Sequence, residues 1–249
     1  MEYKFDEKKH LHQLLVDGIW KNLTGCTTVL SVVAKPALIS WAANMTADFV
    51  KTFISGSENK TFTAAELIPV LEDARKAHAK RKSSAGDKGK AIHLQIELLI
   101  RDAIQDTQGY IKVVPQPETT SKSIINFINW ASENKVKFLE SEKNIYSEKL
   151  WIGGILDGLL EIDGDVWIMD IKTASSGLYA ENMWQMAGYE IMLTESTEYK
   201  KIKGYILLNL KENGEFLEKR SVSNEEHKKA FLACLEIYRQ KEKTTNELL

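Results

Sequence analysis

The chain has 249 residues, 43% of them hydrophobic and 27% charged, the proportions of a folded globular protein rather than a disordered one. Thirty-three basic against thirty-five acidic side chains leave a net charge of −2, so no global positive field marks a polyanion partner and a nucleic-acid role needs a local basic patch. Two cysteines, Cys26 and Cys234, exclude a disulfide-rich scaffold and any four-cysteine zinc or iron–sulfur site built by this chain alone.

The opening Met1–Lys9 stretch lacks the apolar core of a signal peptide. No run approaches the roughly eighteen apolar residues of a membrane span, so a soluble, cytoplasmic chain with no membrane partner is expected. Leu14–Val16 and Ile19–Trp20 flank Asp17-Gly18, a dipeptide suited to a tight hairpin. Thr27–Val33 is β-branched and reads as a strand or as the lead into a helix. Pro36 opens a helix in which Leu38, Trp41, Ala42, Met45, Phe49 and Phe53 recur at steps of three and four, the pattern of a buried face. Thr63 and Glu66 form a capping-box pattern that starts a helix toward Lys82, and Ser83–Gly89 reads as a loop. Ile92, Ile96, Leu99, Ile100 and Ala103 then repeat at helical spacing. Gly109–Thr120, with Pro115 and Pro117, reads as a connector, and Ser123–Asn134 as a helix.

From Val136 the texture becomes extended. Val136–Tyr146, Leu150–Ile162 and Asp165–Ile171 read as strands, the last two joined at Asp163-Gly164. Tyr179–Thr194 reads as a helix, Lys203–Leu210 as a strand followed by a turn at Asn213-Gly214, and Glu225–Lys243 as an amphipathic helix. This order predicts an α/β (α+β) protein with a central mixed sheet flanked by helices and a mainly helical N-terminal region. One domain over 1–249 is expected, with 1–85 as the N-terminal hairpin and helical region and 86–249 as the core.

The chemistry concentrates at Gly154-Ile-Leu-Asp157 and Asp170-Ile-Lys172-Thr173. With the turn at Asp163-Gly164 as centre, Asp157 and Asp170 face each other across the hairpin, where like charges repel. A divalent cation with hard oxygen ligands relieves that repulsion. Alternation points Lys172 to the face of Asp170. Ile168, Met169 and Ile171 make the strand look buried, so these charges are costly unless they do something. Two carboxylates, a metal and an ammonium are what phosphodiester hydrolysis requires.

These two segments, with Gln185-Met-Ala-Gly-Tyr189 on the next helix and Gly89-Lys-Ala-Ile-His93 upstream, resemble in order the motifs of the PD-(D/E)XK nuclease superfamily. The resemblance is to its RecB-like and Cas4-like branch, which includes small phage recombination exonucleases, and it runs from about Gly86 to about Leu193. It implies a restriction-endonuclease-like core and a Mg²⁺-dependent deoxyribonuclease in which Mn²⁺ substitutes, an exonuclease of phage or bacterial recombination or repair. Asp157 and Asp170 would be metal carboxylates, the Ile171 carbonyl and His93 further ligands, and Lys172 the catalytic lysine. Gln185 and Tyr189, four apart on one helical face, would approach the DNA or the lysine. Glu142, on the strand before the hairpin, is a weaker metal ligand. Glu97, four after His93, reads as a solvated helical glutamate or as a group that orients the histidine.

Two cysteines imply the form without an iron–sulfur cluster. Gly86-Asp-Lys-Gly89-Lys90 is not a phosphate-binding loop of a motor, because Ser84 and Ala91 stand where a glycine and a hydroxyl are needed. Unwinding or annealing would fall to a helicase or single-strand-annealing partner, and an oligomer is compatible with the sequence. Arg75, Lys76, Lys80, Arg81, Lys82, Lys88 and Lys90 stand against Asp87 alone just before His93. They read as a DNA contact, Arg81, Lys82, Lys88 and Lys90 foremost, or as a solvated helix face. An endonuclease on the same core, or a catalytically silent DNA-binding protein of this fold, are the alternatives.

Overall fold

The computed structural model describes residues 2–57, 60–174 and 177–248. They form two compact units, one of Met1–Val33 with Ile92–Leu249 and one of Ala34–Ala91.

The larger unit is built on a mixed eight-stranded sheet. Strands β1 (Tyr3–Asp6), β2 (Leu11–Val16) and β3 (Ile19–Gly25) form an antiparallel meander, with Asp17 and Gly18 at positive φ (52° and 75°) in the tight turn that the sequence predicts. Cys26–Val29 (α1) and the 3₁₀ turn Leu30–Val32 follow, so the β-branched run after Gly25 leads into a helix rather than a strand. Strands β4 (Lys137–Ser147), β5 (Ile152–Ile162) and β6 (Asp165–Lys172) are antiparallel neighbours, and Asp163 and Gly164 make the β5–β6 turn (φ 53° and 83°). Strand β7 (Gly204–Leu210) lies parallel to β6, and β8 (Phe216–Val222) pairs antiparallel to β7.

Helices cover both faces of this sheet. Helix α5 (Ala180–Ser196) and helix α6 (Glu225–Leu248) pack on one side, where Met186, Met192, Phe231 and Leu235 meet Ile145, Ile168 and Tyr205. On the other side Ile92, Ile96 and Ile100 of α3 (Ala64–Asp106) and Ile124, Phe127 and Trp130 of α4 (Lys122–Glu133) meet Phe138, Met169, Ile171 and Ile206. Strand β7 is buried along its whole length, its side chains alternating between the two clusters. The N-terminal meander joins this sheet through Thr24 and Gly25, which pair in parallel with Ile152 and Gly153.

In the smaller unit, α2 (Pro36–Ser55) lies beside the first part of α3, with Trp41 edge-on to His78 at 6.4 Å. Phe53 meets Phe62 at 5.2 Å. The Thr63–Glu66 capping box is present, with Thr63 N–H donating to Glu66 Oε2 (2.8 Å) and Glu66 N–H to Thr63 Oγ1 (3.3 Å). Two expectations need correction here. The periodic face of α2 is only half-buried at Trp41, Met45, Phe49 and Phe53, and no residue of the helix is buried. Periodicity marks an apolar stripe but does not itself supply the surface that would cover it. Ser83–Gly89 is also not a loop, because α3 runs through it without a break. The two glycines weaken a helix by about 1 kcal/mol each, and the strong helix formers on both sides outweigh that. Among the described residues no single helix is long and apolar enough to cross a membrane.

His12 shows how tightly the meander is seated. It is 8% exposed, and a Cβ on Gly153 would lie 2.8 Å from its own Cβ, so only glycine fits there. Its Nδ1 meets the Tyr3 hydroxyl, and burial, reinforced by the His10 charge, lowers its pKa from 6.5 to about 4. The unfolded chain therefore takes up the proton first, and stability is lost as pH falls from 6.5 toward 4. Urea unfolding at about pH 7 and about pH 5 is expected to show this loss, and His12→Gln to flatten it. An unchanged slope in the variant would mean that other groups carry the acid sensitivity.

Candidate metal and catalytic site

The site forms where the sheet parts. Strand β5 pairs with β3 only at Ile152 and Gly153 and with β6 only from Gly158 onward, which leaves 154–157 without a strand on that side among the described residues. Side-chain alternation also slips here. Leu156 and Leu159, an odd number of residues apart, both enter the α5-side cluster, whereas Leu160 enters the other. Gly158 lies at the slip, where a Cβ would meet Met169 Cε at 2.7 Å, and β4 shifts register close to it between Phe138 and Glu140.

Three acidic residues lie in one row across β4, β5 and β6. Ser141↔Gly158 and Lys143↔Leu156 bracket Glu142 opposite Asp157, and Gly158↔Met169 is one step short of Asp157 opposite Asp170. The hairpin register would set Asp157 opposite Asp170 as expected, but the ladder ends at Gly158↔Met169 and the two residues are not paired. The Ile171 N–H donates instead to Asp157 Oδ2 at 2.7 Å. Glu142 adopts φ 47°, a left-handed conformation that is uncommon for a non-glycine residue. Such backbone persists where the surroundings over-determine it, often at functional sites.

Helix α3 brings His93 to this row, its Nδ1 3.7 Å from Asp157 Oδ2. One ligand atom each from His93, Glu142 and Asp157 fall within 4.8 Å of one another. That span is close to the roughly 4.2 Å between opposite ligands of a cation bound at about 2.1 Å. The residues fit a hard divalent ion on chemistry too: carboxylates and an imidazole are suitable donors, and the charges need one. Burial, then the charges of Asp157 and Glu97, push the Glu142 carboxyl up from 4.5 to about 8. Burial and the Asp170 charge also raise Asp157, although His93, Lys172 and the Ile171 N–H act against them.

Asp170, 2% exposed, faces the α5 side with Lys172, whose Nζ lies 2.7 Å from Asp170 Oδ2. Gln185 bridges the pair, accepting from Lys172 Nζ (3.2 Å) and donating to Asp170 Oδ1 (3.3 Å), and its amide also meets the Tyr189 hydroxyl at 2.7 Å. Asp170 Oδ2 is buried and accepts no hydrogen bond of normal geometry among the described residues, so it is held by the ammonium charge alone. Burial acts to lower the Lys172 pKa, but Asp170 and Asp157 outweigh it and the net shift is upward. Gly154 seats the tyrosine, since a Cβ there would lie 2.9 Å from Tyr189 Cε1.

The structure therefore gathers His93, Glu142, Asp157, Asp170, Lys172, Gln185 and Tyr189. Gln185 and Tyr189 are buried (6% and 5% exposed) and turned to the lysine and Asp170. Ile171 enters through its N–H. Arg81, Lys82, Lys88 and Lys90 are exposed on the part of α3 that belongs to the smaller unit. Sequence reasoning gave no role to Cys26, a buried residue whose thiol contacts the Gln185 carbonyl at 3.7 Å. Glu97 is paired with Arg101 at 2.7 Å, and its charge reaches Glu142, so it is more than a solvated glutamate. Its spacing of four from His93 is the signal for that.

No protein-family model matches the chain, and no curated protein does. Among solved structures, partial similarity is found to the crystal structure of SSO0001, with TM-score 0.31 and 14% identity over 47% of this chain. The chain spans only 56% of that structure. A second is an alkaline exonuclease (LHK-Exo) from Laribacter hongkongensis, with TM-score 0.29 and 13% identity over 56% of this chain and 79% of that one. At these scores the site's meaning rests on its own geometry.

The crowded carboxylates give a measurable cost. A Glu142 carboxyl raised to about 8 holds its proton in the fold, so the metal-free protein loses stability as pH rises from 4.5 to about 8. Partial solvent screening keeps this to on the order of 1 kcal/mol, or about 2–4 °C in Tm. Glu142→Gln is expected to raise the metal-free Tm by that amount at neutral pH and to lose the further rise that Mg²⁺ or Mn²⁺ gives the wild type. A variant that is no more stable, yet still stabilised by metal, would remove Glu142 from the site.

Proposed function

We propose that this chain is a divalent-metal-dependent nuclease of the PD-(D/E)XK kind acting on DNA. The observation that carries the reading is the row Glu142–Asp157–Asp170, met by His93 at Asp157 and by Lys172 at Asp170. A purely structural site has no use for three neighbouring carboxylates at this cost. His93, Glu142 and Asp157 would hold the cation, with Asp170 and the Ile171 carbonyl as further ligands. A bound Mg²⁺ or Mn²⁺ supplies a polarised phosphate and a water of lowered pKa.

The chain's own residues supply the rest. Lys172 is a cation fixed by Asp170 and Gln185, so it donates hydrogen bonds and stabilises negative charge rather than taking a proton. Gln185 sets the direction of the ammonium, and Tyr189 in turn sets Gln185. The Ile171 N–H orients the Asp157 carboxylate, so that one of its oxygens is already committed. Arg81, Lys82, Lys88 and Lys90 would hold backbone phosphates, a contact that weakens with salt.

The test is cleavage of an end-labelled linear duplex, its single strand and a closed circle in Mg²⁺ or Mn²⁺. The wild type is expected to shorten the linear forms from an end and spare the circle, to stop in EDTA, and to lose at least about 100-fold in rate in Lys172→Met with the fold retained. Cleavage of the circle would make the protein an endonuclease. Binding without cleavage in either metal would leave a DNA-binding protein of this fold.

A further inference from the structure

We propose that Arg101 is a positioning residue that grips a phosphate of the bound strand beside the reacting one. The inference rests on the nuclease reading above and adds a contact that no motif supplies. His93, Glu97 and Arg101 stand at steps of four along α3, within the larger unit. Helical geometry keeps them on neighbouring positions of one surface, with about 12 Å of rise between the first and the last.

The three side chains grade from site to solvent. The Glu97 side chain is 19% exposed and holds the Arg101 Nη2 at 2.7 Å, while the Arg101 side chain is 53% exposed. The guanidinium is thus oriented from within and open without. It also stands near enough to the acidic row for its charge to be felt at Glu142.

A phosphodiester approaching four carboxylates (Glu97, Glu142, Asp157 and Asp170) meets repulsion unless cations face it. Lys172 is tied down between Asp170 and Gln185, and its side chain is 25% exposed. Arg101 offers what Lys172 does not. Its planar fork has five N–H donors, and the Glu97 contact uses only part of them, leaving donors for a phosphate. Arg101 stands about two turns beyond His93 and outside the cluster itself, so the phosphate it holds is a neighbour of the scissile one. Arg101 therefore affects how the strand is held rather than the bond-breaking step.

The experiment compares wild type, Arg101→Ala, Arg101→Lys and Lys229→Ala, the last removing an exposed α6 cation that is paired to Glu226. KM, kcat and the salt dependence of binding are measured on a linear substrate, and folding is checked by thermal melting. The expectation for Arg101→Ala is a KM raised about tenfold, kcat within about twofold, and a log–log salt slope smaller by about one. Arg101→Lys restores part of the KM, and the smaller salt slope of Arg101→Ala is the readout that a purely structural Glu97–Arg101 pair would not move. If Arg101→Ala shifts KM and slope no more than Lys229→Ala does, or lowers kcat with KM unchanged, the proposal is wrong while the nuclease reading stands. A wild type that neither binds nor cuts DNA overturns both.

Discussion

The structure is organised around the repulsion among Glu142, Asp157 and Asp170, set side by side on three adjacent strands. Like charges opposite one another in a ladder destabilise a sheet, and burial makes the cost larger. Each neighbouring feature is a partial answer to it. The strands part at the Asp157–Asp170 pair, and a backbone N–H takes one Asp157 oxygen. Lys172 neutralises Asp170, and an imidazole comes down from α3. What stays uncompensated is concentrated at Glu142, where the backbone is left-handed and the carboxyl holds its proton to about pH 8.

Helix packing turns this local problem into a fixed geometry. The sheet is covered on both faces, so α3 and α5 are each anchored by apolar contacts and can present polar groups at its parting edge. On α5, Gln185 and Tyr189 sit one turn apart, and the tyrosine ring fits only because residue 154 lacks a side chain. On α3, Ile92, Ile96 and Ile100 face the core while His93 and Glu97 turn toward the row. Rigid elements carry every side chain of the cluster, which is what preorganised chemistry requires.

Much of this was legible in the residues. The Asp17-Gly18 and Asp163-Gly164 turns announce themselves because they need positive φ, and the hairpin spacing brings Asp157 near Asp170, although the ladder ends one pair short of them. The Asp170–Lys172 alternation and the Gln185–Tyr189 spacing translate directly into contacts. What could not be read has physical causes. Ser83–Gly89 has the composition of a loop, yet helix propagation through it costs little once both flanks are helical. The exposure of α2 depends on how many neighbours it has, which periodicity does not report. The prominence of Glu142 depends on which residue of β4 falls opposite Asp157, a long-range register invisible from β4 itself.

The division of positive charge in the site follows from the same constraint. On the proposed reading, a divalent ion among His93, Glu142 and Asp157 would relieve the row from the α3 side, where His93 keeps 32% of its side chain exposed. Lys172 cannot do that work, because it is spent on Asp170 and enclosed by Gln185 on the α5 side. The proposed cation and Lys172 would thus flank Asp157, whose carboxyl already feels both His93 and Lys172. An anionic phosphate drawn between them would meet charge from two directions. On the proposed reading it would reach that place only once the carboxylates are neutralised, which would couple metal occupancy to strand binding through electrostatics.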